Sequence, residues 1–116
     1  NNIRCEEAFD CHNFLFIIID MMNCGPITLL IAKAKCEYPE KVCQYILYNV
    51  LQGVYFLHDR HIIHRDIKSK NVLFNSDGEV KLADFSTAAQ LTEEEDNRVT
   101  CVGTGHWMAP ELINAS

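Results

Sequence analysis

A chain of 116 residues, 48% hydrophobic and 22% charged, has the composition of a globular protein that buries one modest core, not that of a disordered segment. Its net charge of -6 argues against a nucleic-acid partner, which needs a basic face to displace counterions, and against an anionic membrane surface. Six cysteines without a C-x-x-C pair read as reduced thiols, and Cys11 beside His12 lacks the second ligand pair of a zinc site.

Glu6 and Glu7 stand where a secretory signal would carry positive charge, and the longest apolar run, residues 14–19, is too short to span a bilayer. Both point to a cytoplasmic protein. Residues 1–13 have no period that separates an ordered element from a frayed start. Phe14 to Ile19, short, aromatic and β-branched, reads as a buried strand that stops at Asn23-Cys24-Gly25-Pro26. Pro26 then suits the first position of a short helix through about Lys35. Pro39 opens a longer helix, in which Cys43, Ile46, Leu47, Val50, Leu51, Val54 and Leu57 recur at three- and four-residue steps and predict one apolar face. Polar His58-Asp59-Arg60 ends it.

Ile62-Ile63 and Val72-Leu73-Phe74 are too short for helices and flank a polar run. Asn75-Ser76-Asp77-Gly78 is a turn signal, and Glu79-Val80-Lys81-Leu82 alternates polar with apolar, so residues 72–82 predict a β-hairpin. Asp84 then lies just past a strand end. Residues 86–102 lack periodicity and carry the acidic run Glu93-Glu94-Glu95-Asp96, which reads as a mobile, solvated loop.

Three blocks carry chemistry. His64-Arg65-Asp66-Ile67-Lys68-Ser69-Lys70-Asn71 sets an acid, a cation and a carboxamide within eight residues. Ala83-Asp84-Phe85 and Gly103-Thr104-Gly105-His106-Trp107-Met108-Ala109-Pro110-Glu111 follow. In this order and spacing they resemble the catalytic loop, the metal-binding loop and the A-P-E segment of a eukaryotic serine/threonine protein kinase. The resemblance is to the PAK-like branch of the STE group and runs from about Phe14 to Ile113. It implies an α+β fold: a truncated kinase domain over residues 1–116, with a hinge strand, the mainly helical start of the carboxy-terminal lobe and a catalytic-loop hairpin.

The resemblance also implies roles. Asp66 matches the carboxylate that orients or accepts the proton of the attacking hydroxyl, although a lone loop aspartate would more simply satisfy backbone amides. Lys68 matches the lysine that touches the transferred phosphate in serine/threonine kinases, and Thr104 the threonine that bonds Asp66 and Lys68. Asn71 and Asp84 match the magnesium ligands, hard oxygen donors both. Backbone groups of Asp20 and Met22 would meet adenine, with Ile19 as gatekeeper and Leu73 on the pocket floor; core packing is the alternative for Ile19 and Leu73. His64, Phe85 and Glu111 would be structural. Arg65 and Thr100 would form a regulatory pair, a phosphothreonine held by a guanidinium, unless Thr100 is an unmodified loop residue.

The implied cofactors are ATP and Mg2+, and the implied partners are proteins with Ser/Thr acceptors, with an upstream kinase or small GTPase acting through regions outside these residues. The pattern departs from the family in four ways. Ser86 follows Asp84-Phe85 where glycine is usual, Gly105-His106 replaces Pro-Tyr, Lys70 replaces Asp, and no G-x-G-x-x-G loop or V-A-I-K lysine precedes residue 14. The isolated chain is therefore expected to be weakly active or inactive. A non-catalytic, pseudokinase-like binding module is the alternative reading.

Overall fold

The computed structural model describes residues 1–34, 37–92 and 102–114. It opens with a hairpin: β1 (Cys5–Cys11) pairs antiparallel with β2 (Phe14–Ile19), Cys11 opposite Phe14. The two linking residues, His12 and Asn13, have φ of 48° and 66°, the doubly left-handed turn whose twist matches that of the strands. Residues 5–11, which have no sequence signal of their own, are thus ordered by their partner. The expectation of a buried strand at Phe14–Ile19 is corrected: all six residues are exposed, from 46% to 69%. The sheet is two-stranded, and with no covering layer among the described residues both faces of the ribbon stay open. Phe9 and Phe16 stack across it with ring centroids 5.4 Å apart.

The core forms farther along. Strand β3 (Gly25–Pro26) leads directly into α1 (Ile27–Lys33), so Pro26 caps the helix from an extended conformation and does not sit inside its first turn. Helix α2 (Glu40–His58) follows Pro39, as the spacing predicts. It packs one row, Ile46, Val50 and Val54, against Val72, Val80 and the fully buried Leu82. Leu47 and Leu51, assigned to the same stripe from their spacing, instead face outward, because the contacting sheet is narrower than the apolar arc of the helix.

After the two-residue strand β4 (Ile62–Ile63) come β5 (Val72–Phe74) and β6 (Val80–Leu82), the predicted hairpin, which with β3 makes a sheet of order β3-β5-β6. β4 pairs with β7 (Ala89–Gln90), so the segment after Asp84 is not loop throughout; a two-residue strand is too short to show a period. A 3₁₀ turn (Gly105–Trp107) and a five-residue helix α3 (Pro110–Asn114) complete the described elements. The acidic run Glu93 to Asp96 and Thr100 lie outside the described residues. The architecture is α+β, and no described helix is long and apolar enough to cross a membrane.

The amino-terminal residues lock onto this core. Ile3 N donates to Leu82 O and Leu82 N to Asn1 O, both at 2.7 Å, while Asn2 Nδ2 reaches Gly53 O at 3.1 Å. Gly53 permits this approach: a Cβ there would lie 2.9 Å from Asn2 Oδ1 and 3.1 Å from both Asn1 O and Leu82 Cδ1. Gly53→Ala sets a helix-propensity gain of about 1 kcal/mol against an overpacking cost of about 1–3 kcal/mol. Urea unfolding should show net destabilisation; a more stable variant would mean that the amino-terminal segment does not pack on α2.

Candidate active site

The polar run 64–71 is suspended between β4 and β5, and the chain bends sharply at each end of the site. Arg65 has φ of 66° and Asp84 of 63°, left-handed values that L-residues adopt at a cost and that persist where surrounding contacts impose them. The contacts are present. Arg65 Nε donates to Thr87 O at 2.5 Å, and Thr87 Oγ1 donates to His64 O at 3.1 Å. Sequence reasoning passed over Thr87, since a hydroxyl that braces backbone leaves no spacing signature.

Asp66 is the hub. Its Oδ2 accepts from Lys68 Nζ at 2.5 Å and from Asn71 Nδ2 at 3.2 Å, while its Oδ1 accepts from Thr104 Oγ1 at 2.7 Å. Lys68 Nζ also lies 2.9 Å from Thr104 Oγ1. Lys68 and Thr104, 36 positions apart, thus close on one carboxylate whose side chain is only 10% exposed. The Lys68 ammonium first, then the Thr104 hydroxyl, holds the Asp66 carboxyl below its ordinary range. Asp66 is therefore an ionised acceptor whose direction is fixed.

Asn71 is buried and directs its Nδ2 to both Asp66 O and Asp66 Oδ2, at 2.9 and 3.2 Å. Among the described residues no hydrogen bond reaches its Oδ1. The β5–β6 ladder carries this residue toward Asp84: Val72 pairs with Leu82, and Ala83 N donates to Asn71 O at 2.9 Å. Asp84 follows, exposed, with Ser86 Oγ donating to its Oδ1 at 2.6 Å. No group of three or more His, Cys, Asp or Glu among the described residues could hold a metal ion. A carboxylate and a carboxamide oxygen are nonetheless the partial set that suits magnesium, whose coordination is commonly completed by phosphate oxygens and water.

The buried His64 braces this loop, with Nε2 3.1 Å from Ala83 O and its ring 5.0 Å from that of Phe85. A cleft of about 540 Å³ opens beside Asp66, lined in part by Ile67, Gly103, Thr104, Trp107 and Met108. Gly103, at φ 144°, permits its wall, since a Cβ would lie 3.0 Å from Arg65 O.

Other predicted residues lie apart from this hub. Asp20 N donates to Arg4 O at 3.1 Å, and Met22 O accepts from Gly25 N at 3.0 Å. The Asp20 side chain accepts from Arg4 N at 2.8 Å and Lys81 Nζ at 3.0 Å. The Arg4 amide first, and then Lys81, keeps it below the usual carboxylate range. This tie between the hinge and β6 has no counterpart in the sequence reading. Leu73 is half-buried in β5, and Glu111 is exposed and forms no ion pair among the described residues.

Comparison with known proteins decides the family. The model of the protein kinase domain matches residues 1–116. The chain belongs to the protein kinase domain family. Its curated relatives are serine/threonine kinases. The serine/threonine-protein kinase pakB of Dictyostelium discoideum is 46% identical over 114 residues, 97% of this chain and 13% of the relative. The kinase pak-1 of Caenorhabditis elegans is 42% identical over 113 residues, 97% of this chain and 19% of the relative. CLA4 of Candida albicans is 44% identical over 101 residues, 87% of this chain and 10% of the relative. The kinase segment thus spans less than a fifth of the length of these relatives.

Because the folded kinase segment holds Asp66 below its unfolded value, this carboxylate stabilises the fold fully above the unfolded value, and the contribution is lost as pH falls through the folded one. A carboxyl-carbon NMR titration should place its midpoint below about 3.9, and Lys68→Met should move it up. An ordinary midpoint that Lys68→Met leaves in place would dissolve the hub.

Proposed function

We propose that the complete protein is an ATP-dependent protein serine/threonine kinase, and that residues 1–116 are the hinge-to-A-P-E portion of its catalytic domain. The observation that carries this reading is the convergence of Lys68, Thr104 and Asn71 on the Asp66 carboxylate, one residue pair from Asp84 across the end of the β5–β6 ladder. Asp66 orients the attacking Ser or Thr hydroxyl and takes up its proton. A carboxylate held this acidic is a weak base, so its main contribution is alignment, as suits a loose phosphoryl-transfer transition state. Asn71, through Oδ1, and Asp84 would hold magnesium, which neutralises charge on the phosphate oxygens when bound. The Lys68 ammonium, fixed by Asp66 and Thr104, adds positive charge beside the transferred group.

Backbone groups of Asp20 and Met22 meet adenine in this reading, and Leu73 lies below it. Arg65 uses Nε on Thr87 and keeps its terminal nitrogens for phosphate on Thr100, placed there by an upstream kinase. His64 and Phe85 support the metal loop, and Glu111 the A-P-E helix. The protein substrates are cytoplasmic, and small-GTPase control, which the family resemblance implies, acts through other regions. The competing reading, a non-catalytic partner-binding module, draws on Ser86, which takes the place of a family glycine.

The complete protein should incorporate phosphate from Mg-ATP into a generic Ser/Thr substrate. Asp66→Asn should lower turnover by about 10²–10⁴-fold, the range attributed to a positioned proton-transfer group. Turnover equal to the parent would remove Asp66 from the chemistry; no turnover in the parent would favour the binding module. Thr100→Ala should reduce activity of protein treated with an activating kinase, and equal activity would remove Thr100 as a switch.

A further inference from the structure

The residue after Phe85 is serine, and the structure gives that serine a task that glycine cannot perform. Ser86 Oγ donates to Asp84 Oδ1 at 2.6 Å, the length of a charge-assisted O–H···O⁻ bond. The exchange of glycine for serine strains nothing, because Ser86 is not among the residues with positive φ. The backbone around it is fixed on both sides. Ala88 N donates to Phe85 O at 3.0 Å, closing a turn over residues 85–88 with Ser86 at its second position. Thr87 is tied to His64 and Arg65 by the two bonds described above, and Ala83 to the His64 ring. With the main chain held at 83 and 87, the remaining freedom is rotation of the exposed Asp84 side chain, and the Ser86 hydroxyl opposes that rotation.

We infer that Ser86 is a positioning residue for divalent-cation binding: it caps Oδ1 of Asp84 and so holds the carboxylate in one orientation. The inference rests on the assignment of Asp84 as a metal ligand in the proposed kinase reaction. Partners that orient a ligating side chain commonly set its affinity, because the ion then meets a carboxylate already in place. Where glycine stands, that order must be acquired on binding.

Mn2+ alone serves as the probe, read by paramagnetic broadening of the amide signals near Asn71 and Asp84 in the complete protein. Ser86→Ala should weaken Mn2+ binding by about tenfold or more at unchanged melting temperature. Ser86→Thr, which restores a hydroxyl, should return the parent affinity. Equal affinity in Ser86→Ala, with binding lost in Asp84→Asn, would overturn the role of Ser86 and leave the metal assignment standing. Tighter binding in Ser86→Ala would also overturn it, showing that the hydroxyl competes with the ion. Unchanged binding in Asp84→Asn would remove the metal assignment itself.

Discussion

An ionised carboxylate that is nine-tenths covered is unfavourable unless donors surround it, and the site is organised around meeting that requirement at Asp66. Lys68, Asn71 and Thr104 supply the donors. Their origin matters as much as their number. Lys68 and Asn71 come from the same loop as Asp66, whereas Thr104 arrives from beyond β7 and the turn that follows Asp84. The requirement to satisfy one charge thus ties the segment before α3 to the loop after β4, and shapes the cleft between them.

The second constraint is the short β5–β6 ladder. Val72 opposite Leu82 sets the register, and the continuation of that register puts Ala83 N on Asn71 O. A slip of one residue would reverse the faces of the strand and separate Asn71 from Asp84. The register is protected by burial: Val72, Val80 and Leu82 lie beneath Ile46, Val50 and Val54 of α2. Asn1 and Ile3 extend the same protection by bonding Leu82 on its outer side. The placement of Asn71 beside the strand end that leads to Asp84 is in this way referred back to an ordinary hydrophobic contact between a helix and a hairpin.

Much of this was legible in the residues. The long helix announced itself through Pro39 and the step from Ile46 to Val50 to Val54, and the hairpin through Asn75-Ser76-Asp77-Gly78, because both elements follow local rules. The hub residues were found through the family resemblance of their motifs, which anticipates the bonds of Thr104 to Asp66 and Lys68 but not that Asn71 turns its amide onto Asp66. What stayed hidden depends on partners distant in sequence. Cys5–Cys11 is a strand by virtue of its pairing with Phe14–Ile19, and Ala89–Gln90 by virtue of Ile62-Ile63. Phe14–Ile19 is exposed because no layer among the described residues covers its two-stranded ribbon. Ser86 was visible as a departure, yet its bond to Asp84 became visible with the left-handed bend at Asp84, which no propensity scale anticipates.

The proposed reaction requires that Asp66 in its clamp, Asn71 and Asp84 address a common ion and phosphate. Diffraction at the manganese absorption edge, from crystals of the complete protein with Mn2+ and a non-hydrolysable ATP analogue, tests it directly. An anomalous peak is expected within coordination distance of Asn71 Oδ1 and of a carboxylate oxygen of Asp84, with Lys68 and Thr104 still bonded to Asp66. A peak ligated elsewhere, or Asn71 and Asp84 turned to opposite sides of the chain, would contradict it.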